Sequence, residues 1–396
     1  MDITIYSRSL RGEIEVIPSK SQAHRYLICA AFADAPTQLI CPETNRDIEA
    51  TADCLGALGA RILRTDSGYT IFPVSAVPER ATLHCSESGS TLRFLLPVAG
   101  ALGVDATFTM AGRLPQRPLS PLWEEMERMG CVLTRPTPDT VRCTGKLKPG
   151  SYFIDGGVSS QYITGLLLAL SLLGGSCELA ITGKIESQPY IRMTKDAIAR
   201  FGGDPEHPGV RKFHSPGYLR VEGDWSNGAF FLAANALGSE LSLRGLNPES
   251  SQGDRAVLDI LPRLERGTPE ISAADIPDLV PILAVTAACK HGAVFTDVRR
   301  LRLKESDRVA SVVAMIDALG GRAEATENTL TVFGTGLTGG TVDAVNDHRI
   351  AMSAAIAATA CHEKVTIEGA QCVEKSYPRF FEEYARLGGK YEQHLR

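Results

Sequence analysis

No CxxC pair and no metal-ligand spacing occurs in this 396-residue sequence, although it holds ten cysteines. The usual marks of a zinc site or a dithiol redox motif are therefore missing. Scattered as they are, and with Cys29, Cys177, Cys289 and Cys361 in or beside strongly apolar stretches, the cysteines read as reduced core residues. Long apolar runs are missing too. The longest, near Ile163 to Leu173, falls well short of the roughly 20 residues a spanning helix needs. The opening MDITIYSRSLRGEIEV alternates like a strand and has neither an h-region nor a cleavage site, so no export signal is read and the cytoplasm is the expected compartment. Charge of one sign is scarce: a net charge of −5 offers no sequence-wide attraction to nucleic acid or to an anionic membrane. No low-complexity segment or long charge run appears, and the Pro/Thr-rich stretch from Arg135 to Thr140 reads as a turn. With 44% hydrophobic and 22% charged residues, the chain has the composition of an ordinary globular protein of two or three domains.

What is present is a repeated grammar. At Asp155 to Gly175 a polar mouth, DGGVSSQ, runs straight into the apolar body YITGLLLALSLLGG and stops on paired glycines. A body apolar nearly all round argues for a helix buried on every side. Its first turn presents free backbone N–H groups and the positive dipole end, so Ser159, Ser160 and Gln161 stand where an anion would be held. The same pattern recurs at SKSQAHRYLICAAFADA, SESGSTLRFLLPVAGALG, GDWSNGAFFLAANALG, IPDLVPILAVTAACKHG and NDHRIAMSAAIAATACHE. Internal repetition is the first constraint on the fold.

A second unit alternates with the first: an amphipathic helix ending on glycine, followed by a β-rich stretch. Copies are expected from Asp47, Pro121, Tyr190, Asp254, Glu305 and Tyr377, each with apolar residues at helical spacing on one face and charge on the other. Runs such as SELSLRGL, GAVFTDV, TLTVFG and KVTIEGA read as strands between them. The chain passes from three copies to the next three near Arg220 to Asp224. Two similar halves are expected, 19–221 and 222–396; the strand before Ser19 fits either by pattern and is assigned, as 1–18, to the second.

Cations gather at the mouths and turns: Lys20 and Arg25, Arg93, Arg117 in LPQRPL, Lys304 and Arg308 in LKESDR, Arg349 in NDHR, and Lys375 in EKSYP. Each alone is explained by a solvated basic turn. Together, in a net-acidic chain, they point to a strongly anionic ligand, because Arg with Lys is the expected mix for phosphate and carboxylate. Asp278 in IPDLVP reads as a helix N-cap, Glu305 as one partner of a surface ion pair worth under about 1 kcal/mol, and His348 as a structural histidine.

In order and along nearly the whole chain, SKSQAHR, SGSTLR, LPQRP, DGGVSSQ, SQPY, VEGDWS, IPD, LKESDR, NDHR and EKSYP resemble the 5-enolpyruvylshikimate-3-phosphate synthase family. The resemblance implies an enzyme that moves the carboxyvinyl group of phosphoenolpyruvate onto the 5-hydroxyl of shikimate 3-phosphate and releases phosphate, on the shikimate pathway to the aromatic amino acids. It implies an α/β fold of two similar domains, each of three βαβαββ repeats with buried inner helices, an inside-out α/β barrel with the active site in the interdomain cleft. Carried over by position, Lys20, Ser21, Arg25, Ser159, Ser160, Gln161, Ser187, Tyr190, Asp278 and Lys304 are expected to contact shikimate 3-phosphate. Lys20, Gly89, Gln161, Arg117, Arg308, Arg349 and Lys375 are expected to cradle phosphoenolpyruvate, Gly89 because a missing side chain lets the backbone approach an anion closely. The expected catalytic groups are Asp278 as base toward the attacking hydroxyl, Glu305 and Lys20 as proton donors, and His348 beside them. No cofactor, metal ion, nucleic acid or membrane is expected as a partner, and the chain is expected to act as a monomer.

Two positions depart from the family pattern. Glu87 stands where Asn is common, and Arg300 where many members carry Asn; both bear on the fine geometry of the site. One rival is the related transferase that uses UDP-N-acetylglucosamine as acceptor. That family carries a cysteine in the loop matching Gly112 to Pro118, and AGRLPQRPL has none. The other is a non-catalytic repeat scaffold; a nucleic-acid clamp would line helix faces with Lys and Arg, whereas here the buried-helix bodies are apolar.

Overall fold

A computed structural model describes residues 1–6 and 8–394; Ser7, inside the alternating N-terminal run, and the last two residues lie outside the described set. Contacts divide the chain into two compact units, Pro18–Glu222 and Met1–Ile17 with Gly223–Arg396. Each has its own apolar core.

In the unit Pro18–Glu222 the six helices alternate between core and outer positions. The core helices are α1 (Lys20–Ala31), α3 (Gly89–Leu102) and α5 (Ser160–Leu173), and the outer ones α2 (Arg46–Ala57), α4 (Leu122–Arg128) and α6 (Gln188–Arg200). The core helices bury nearly every side chain past their first turn, as an apolar circumference requires. Their mouths are capped alike: Ser19, Ser88 and Ser159 accept from the backbone N–H of Gln22, Thr91 and Gln161. Gly103, at φ 75°, ends α3 in the left-handed conformation that glycine tolerates.

The strands carry out the repeat. Arg80–His84 pairs in parallel with Asp105–Thr109, and the hairpin Cys131–Thr134/Thr140–Gly145 adds antiparallel beyond it. The first copy uses the same order, but its leading strand, Tyr218–Arg220, arrives from the far end of the unit to lie parallel to Thr37–Ile40. The third copy has only the parallel pair Ser151–Asp155 and Glu178–Thr182, because the chain leaves α6 for Tyr218 without making a hairpin.

The second unit follows suit, with core helices α7 (Trp225–Ala236), α9 (Val280–Cys289) and α11 (His348–Ala357) and outer helices α8 (Val257–Arg266), α10 (Arg308–Ala318) and α12 (Phe380–Arg386). Its two four-stranded sheets repeat the order above, and a parallel pair completes it. The N-terminal run supplies two strands to this unit: Asp2–Tyr6 lies between Val365–Glu368 and Lys390–His394, and Arg11–Glu15 pairs with Glu240–Arg244. No described helix is long and apolar enough to cross a membrane.

Helix starts differ from the sequence expectation where 3-10 turns intervene. The helix expected from Asp254 begins at Val257, after a 3-10 turn over Gly253–Ala256. The one expected from Glu305 begins at Arg308, capped by Asp307. The core helix expected from Ile276 begins only at Val280, so Asp278 sits in the preceding turn and is not its N-cap. Freed from capping, that carboxylate faces side chains.

The packing of α5 on α3 explains a glycine in the middle of an apolar helix. Pro97 lacks the N–H that would have bonded the Arg93 carbonyl one turn back in α3, and Gly165 of α5 lies against that carbonyl. A Cβ at Gly165 would sit 2.1 Å from the Arg93 oxygen and 3.1 Å from Pro97 Cγ. Gly165→Ala is therefore expected to destabilise by roughly 1–3 kcal/mol through forced separation of α3 and α5. A thermal midpoint equal to that of the unaltered protein would refute this.

Candidate active site

Within Pro18–Glu222, Arg25 is the most deeply embedded cation, 2% exposed. From α1 it reaches two other helices: Nε donates to Thr194 Oγ1 at 2.8 Å, and Nη2 to Thr164 Oγ1 at 3.2 Å and to the Tyr190 carbonyl at 3.1 Å. Nη1 donates to the Ser21 carbonyl at 2.5 Å, and the guanidinium stands 5.0 Å from the centre of the Phe94 ring. All four acceptors are neutral. Burial pushes its pKa down to about 10, so the group stays charged at neutral pH without a carboxylate beside it.

Lys20, the first residue of α1, is ion-paired to Asp47 of α2 at 2.8 Å. At the mouth of α3, a Cβ on Gly89 would lie 2.8 Å from Nη1 of both Arg93 and Arg117. Two guanidinium groups therefore crowd the space a side chain would fill. Arg93 donates to Gln161 Oε1 at 2.8 Å and to the Pro118 carbonyl at 3.1 Å, while Gln161 Nε2 donates to Ser90 Oγ at 3.1 Å. The mouths of α3 and α5 are thereby tied together. Ser159 caps α5, Ser160 is its first residue, and Ser187, at φ 58°, immediately precedes α6, whose first turn carries Tyr190.

In the other unit, one guanidinium organises three carboxylates. Arg308, whose side chain is 1% exposed, donates to Asp278 at 2.7 Å, to Glu305 at 2.6 Å and to Asp347 at 2.9 Å. Asp347, wholly buried, also accepts from Ser306 Oγ at 3.0 Å and caps α11 by accepting from the Arg349 backbone N–H at 3.0 Å. The Arg349 guanidinium in turn donates to Asp278 Oδ2 at 3.2 Å, and Lys304 Nζ lies 3.8 Å from Asp278 Oδ1. Lys375 donates to the Asn346 carbonyl at 2.8 Å, and His348 is buried at the start of α11.

These charges set one another's protonation. Burial works to raise the Asp278 pKa, but Arg349, Lys304 and Arg308 outweigh it and hold the carboxyl well below the usual range. Burial brings Lys304 down to about 8, against the pull of Asp278 and with the help of Arg308 and Arg300. Arg308 is driven above its ordinary value by Asp347, Glu305 and Asp278 in spite of burial. Among the described residues no group of three or more His, Cys, Asp or Glu is placed to hold a metal ion.

Of the residues singled out in the sequence, Ser21, Arg25 and Tyr190 form one hydrogen-bonded set, Gly89, Arg117 and Gln161 meet around Arg93, and Asp278, Lys304, Glu305, Arg308 and Arg349 form one ionic cluster. Two partners lie outside the expected substrate contacts: Arg93, which the sequence places only among the cations at the mouths, and Asp347. Arg93 follows Gly89 by four residues, a spacing that stacks it on the same helix face and could have marked it. Asp347 is legible as a cap, but not as the anchor of a guanidinium 39 residues away.

A sequence model described as EPSP synthase (3-phosphoshikimate 1-carboxyvinyltransferase) matches residues 6–269 and 265–384. The chain belongs to the EPSP synthase family. Among curated EPSP synthases, the 3-phosphoshikimate 1-carboxyvinyltransferase of Clostridium kluyveri is 36% identical over 418 residues, covering 99% of this chain and 98% of that protein. The one from Clostridium beijerinckii is 35% identical over 428 residues, with the same coverage. The solved EPSP synthase of Acinetobacter baumannii superposes with a TM-score of 0.79 at 24% identity, covering 99% of this chain and all of that one. The enolpyruvyl transferase NikO of Streptomyces tendae superposes at 0.76 and 18% identity, covering 100% and 99%. These two likenesses speak to the fold: a two-domain α/β architecture common to EPSP synthases.

Proposed function

We propose that this chain transfers the enolpyruvyl group of phosphoenolpyruvate to the 5-hydroxyl of shikimate 3-phosphate, through a tetrahedral intermediate that expels phosphate. The observation that carries the reading is Arg25: a guanidinium 2% exposed whose four acceptors are all neutral oxygens. A buried cation without a counter-charge is costly, and an anionic acceptor at the mouths of α1, α5 and α6 would offset that cost. Ser159, Ser160, Gln161, Ser187 and Tyr190 stand at those mouths, and in this reading they hold shikimate 3-phosphate together with Lys20 and Ser21. Gly89, Arg93 and Arg117 are assigned to phosphoenolpyruvate, as are Arg308, Arg349 and Lys375, with Lys20 and Gln161 shared between the two substrates.

The chemistry divides into two proton movements. The 5-hydroxyl loses its proton as its oxygen attacks C2 of phosphoenolpyruvate, and the C3 methylene gains one; elimination then returns a proton from C3 and releases phosphate. Asp278 is assigned as the acceptor of the hydroxyl proton, with Glu305 and Lys20 as donors. Each such group contributes roughly 10²- to 10⁴-fold. A carboxyl held as low as Asp278 is a poor base, but substrate anions that engage Arg308 and Arg349 withdraw those cations from it. Substrate binding thereby lifts Asp278 toward a useful basicity. Holding two polyanions against their mutual repulsion is the task of the remaining cations.

Incubation with both substrates while following phosphate release tests the reading. Release is expected only when phosphoenolpyruvate and shikimate 3-phosphate are both present. Release with UDP-N-acetylglucosamine in place of the shikimate would assign the chain to the rival transferase, and none with either acceptor would leave a scaffold.

A further inference from the structure

Four buried polar side chains below the mouths of α1, α2 and α3 form a continuous hydrogen-bonded chain. His24 Nδ1 is 2.8 Å from Thr51 Oγ1, Thr51 Oγ1 is 2.7 Å from Thr91 Oγ1, and Thr91 Oγ1 donates to Ser88 Oγ at 2.7 Å. All four residues are fully buried. Each hydroxyl has one proton to give. With Thr91 donating to Ser88, Thr51 must donate to Thr91 and His24 Nδ1–H to Thr51, so the chain runs one way and fixes the imidazole tautomer. Burial, reinforced by the charges of Lys20 and Arg25, holds His24 well below its ordinary pKa and keeps the ring neutral. Nε2, which has no hydrogen-bond partner, is then left as a lone pair, and the Phe94 ring stands edge-on to the imidazole with ring centroids 6.2 Å apart.

The placement of this chain relates it to the substrate-facing residues. Lys20 and His24 are one turn apart on α1, and Asp47 and Thr51 one turn apart on α2. The Lys20–Asp47 ion pair at 2.8 Å is thus an upper rung and His24–Thr51 a lower one. Thr91 touches both, since its hydroxyl also lies 3.4 Å from the Asp47 carbonyl oxygen. Ser88, where the chain ends, caps α3 by accepting from the Thr91 N–H at 3.2 Å, and the next residue is Gly89. Apolar side chains would fill the same space; a polar chain whose three hydroxyls and imidazole Nδ1 are all paired instead selects one arrangement of the three helices.

We propose that His24, Thr51, Thr91 and Ser88 are positioning residues that fix the Gly89 mouth of α3 relative to Lys20, and so set the affinity for phosphoenolpyruvate. This rests on the reading of Gly89 and Lys20 as parts of the phosphoenolpyruvate cradle. Neither His24 nor Thr51 needs to touch substrate for it.

Thr51→Val removes the central hydroxyl and keeps the branched shape; Thr51→Ser keeps the hydroxyl. Steady-state kinetics are read by phosphate release with each substrate varied in turn. Thr51→Val is expected to raise the KM for phosphoenolpyruvate roughly tenfold, the cost of one buried hydrogen bond. The KM for shikimate 3-phosphate should stay within about twofold, and Thr51→Ser should restore both to within about twofold. A Thr51→Val protein that melts lower but shows no change in either KM, or an equal rise in both, overturns the proposal. Should that variant not fold, His24→Gln decides: a selective rise for phosphoenolpyruvate supports the chain, and its absence overturns it. The unaltered protein is assayed alongside. If it fails to turn over, the functional reading falls and this proposal with it; turnover without the selective KM effect removes the positioning chain alone.

Discussion

Asp278→Ala is expected to lower turnover at least a hundredfold while both substrates still bind. The structure gives reasons for each half of that result. Asp278 lies in the turn before α9, outside the helix ladder, and its side chain retains 18% exposure, so its loss leaves no packed void. Arg308 keeps Glu305 and Asp347 as partners. Arg349 loses that carboxylate and becomes more attractive to substrate anions, so KM values should hold or fall. What disappears is the acceptor for the hydroxyl proton. Asp278→Asn, which keeps the shape but not the basicity, should match the alanine variant in kcat. Steady-state kinetics with isothermal titration of each substrate separate the two halves; turnover within tenfold of the unaltered protein would strip Asp278 of the role.

How much of this could be read beforehand depends on the range over which the deciding interactions act. The six core helices were legible because an apolar circumference opening on Ser, Gly, Asp or Asn is a local signal, and the caps at Ser19, Ser88 and Ser159 are local too. Helix starts near Asp254, Ile276 and Glu305 are not legible, because a 3-10 turn or a tight turn has nearly the same apolar spacing as a first α-turn, and only the hydrogen bonds distinguish them. Asp278 shows the consequence. Read as an N-cap it would be spent on backbone; two residues outside the helix, it is available to Arg308 and Arg349. The incomplete copies were also out of reach. A strand such as Tyr218–Arg220 finds Thr37–Ile40 across 180 residues of chain, and nothing near either segment announces the pairing. The bond from Arg93 to Gln161 and the His24 chain are hidden for a different reason: a single Arg, His or Thr in an apolar helix has an adequate explanation as a lone polar group until its partner on another helix is known.

Arg308→Met carries the largest expected effect on stability. Its guanidinium and the Asp347 carboxylate are both out of contact with water, so removing the cation leaves a buried anion with only the Ser306 hydroxyl and the Arg349 backbone N–H. Breaking such a pair from one side typically costs about 3–5 kcal/mol, whereas replacing both partners by apolar residues is far milder. The thermal midpoint should therefore fall sharply in Arg308→Met and recover substantially in Arg308→Met with Asp347→Leu. The sign of the pH dependence supplies an independent check. In the unaltered protein Arg308 overcomes burial and depresses the Asp347 pKa, so this pair stabilises above the unfolded carboxylate pKa and the contribution is lost as pH falls. In Arg308→Met burial acts unopposed by that cation and the folded pKa rises, so the variant is favoured below the unfolded pKa and loses that support as pH climbs through the folded one. The stability gap between the two proteins must then narrow on acidification. A gap that stays constant, or a single variant that melts with the unaltered protein, would mean that Asp347 does not depend on Arg308, and that the carboxylate cluster is assembled by other contacts.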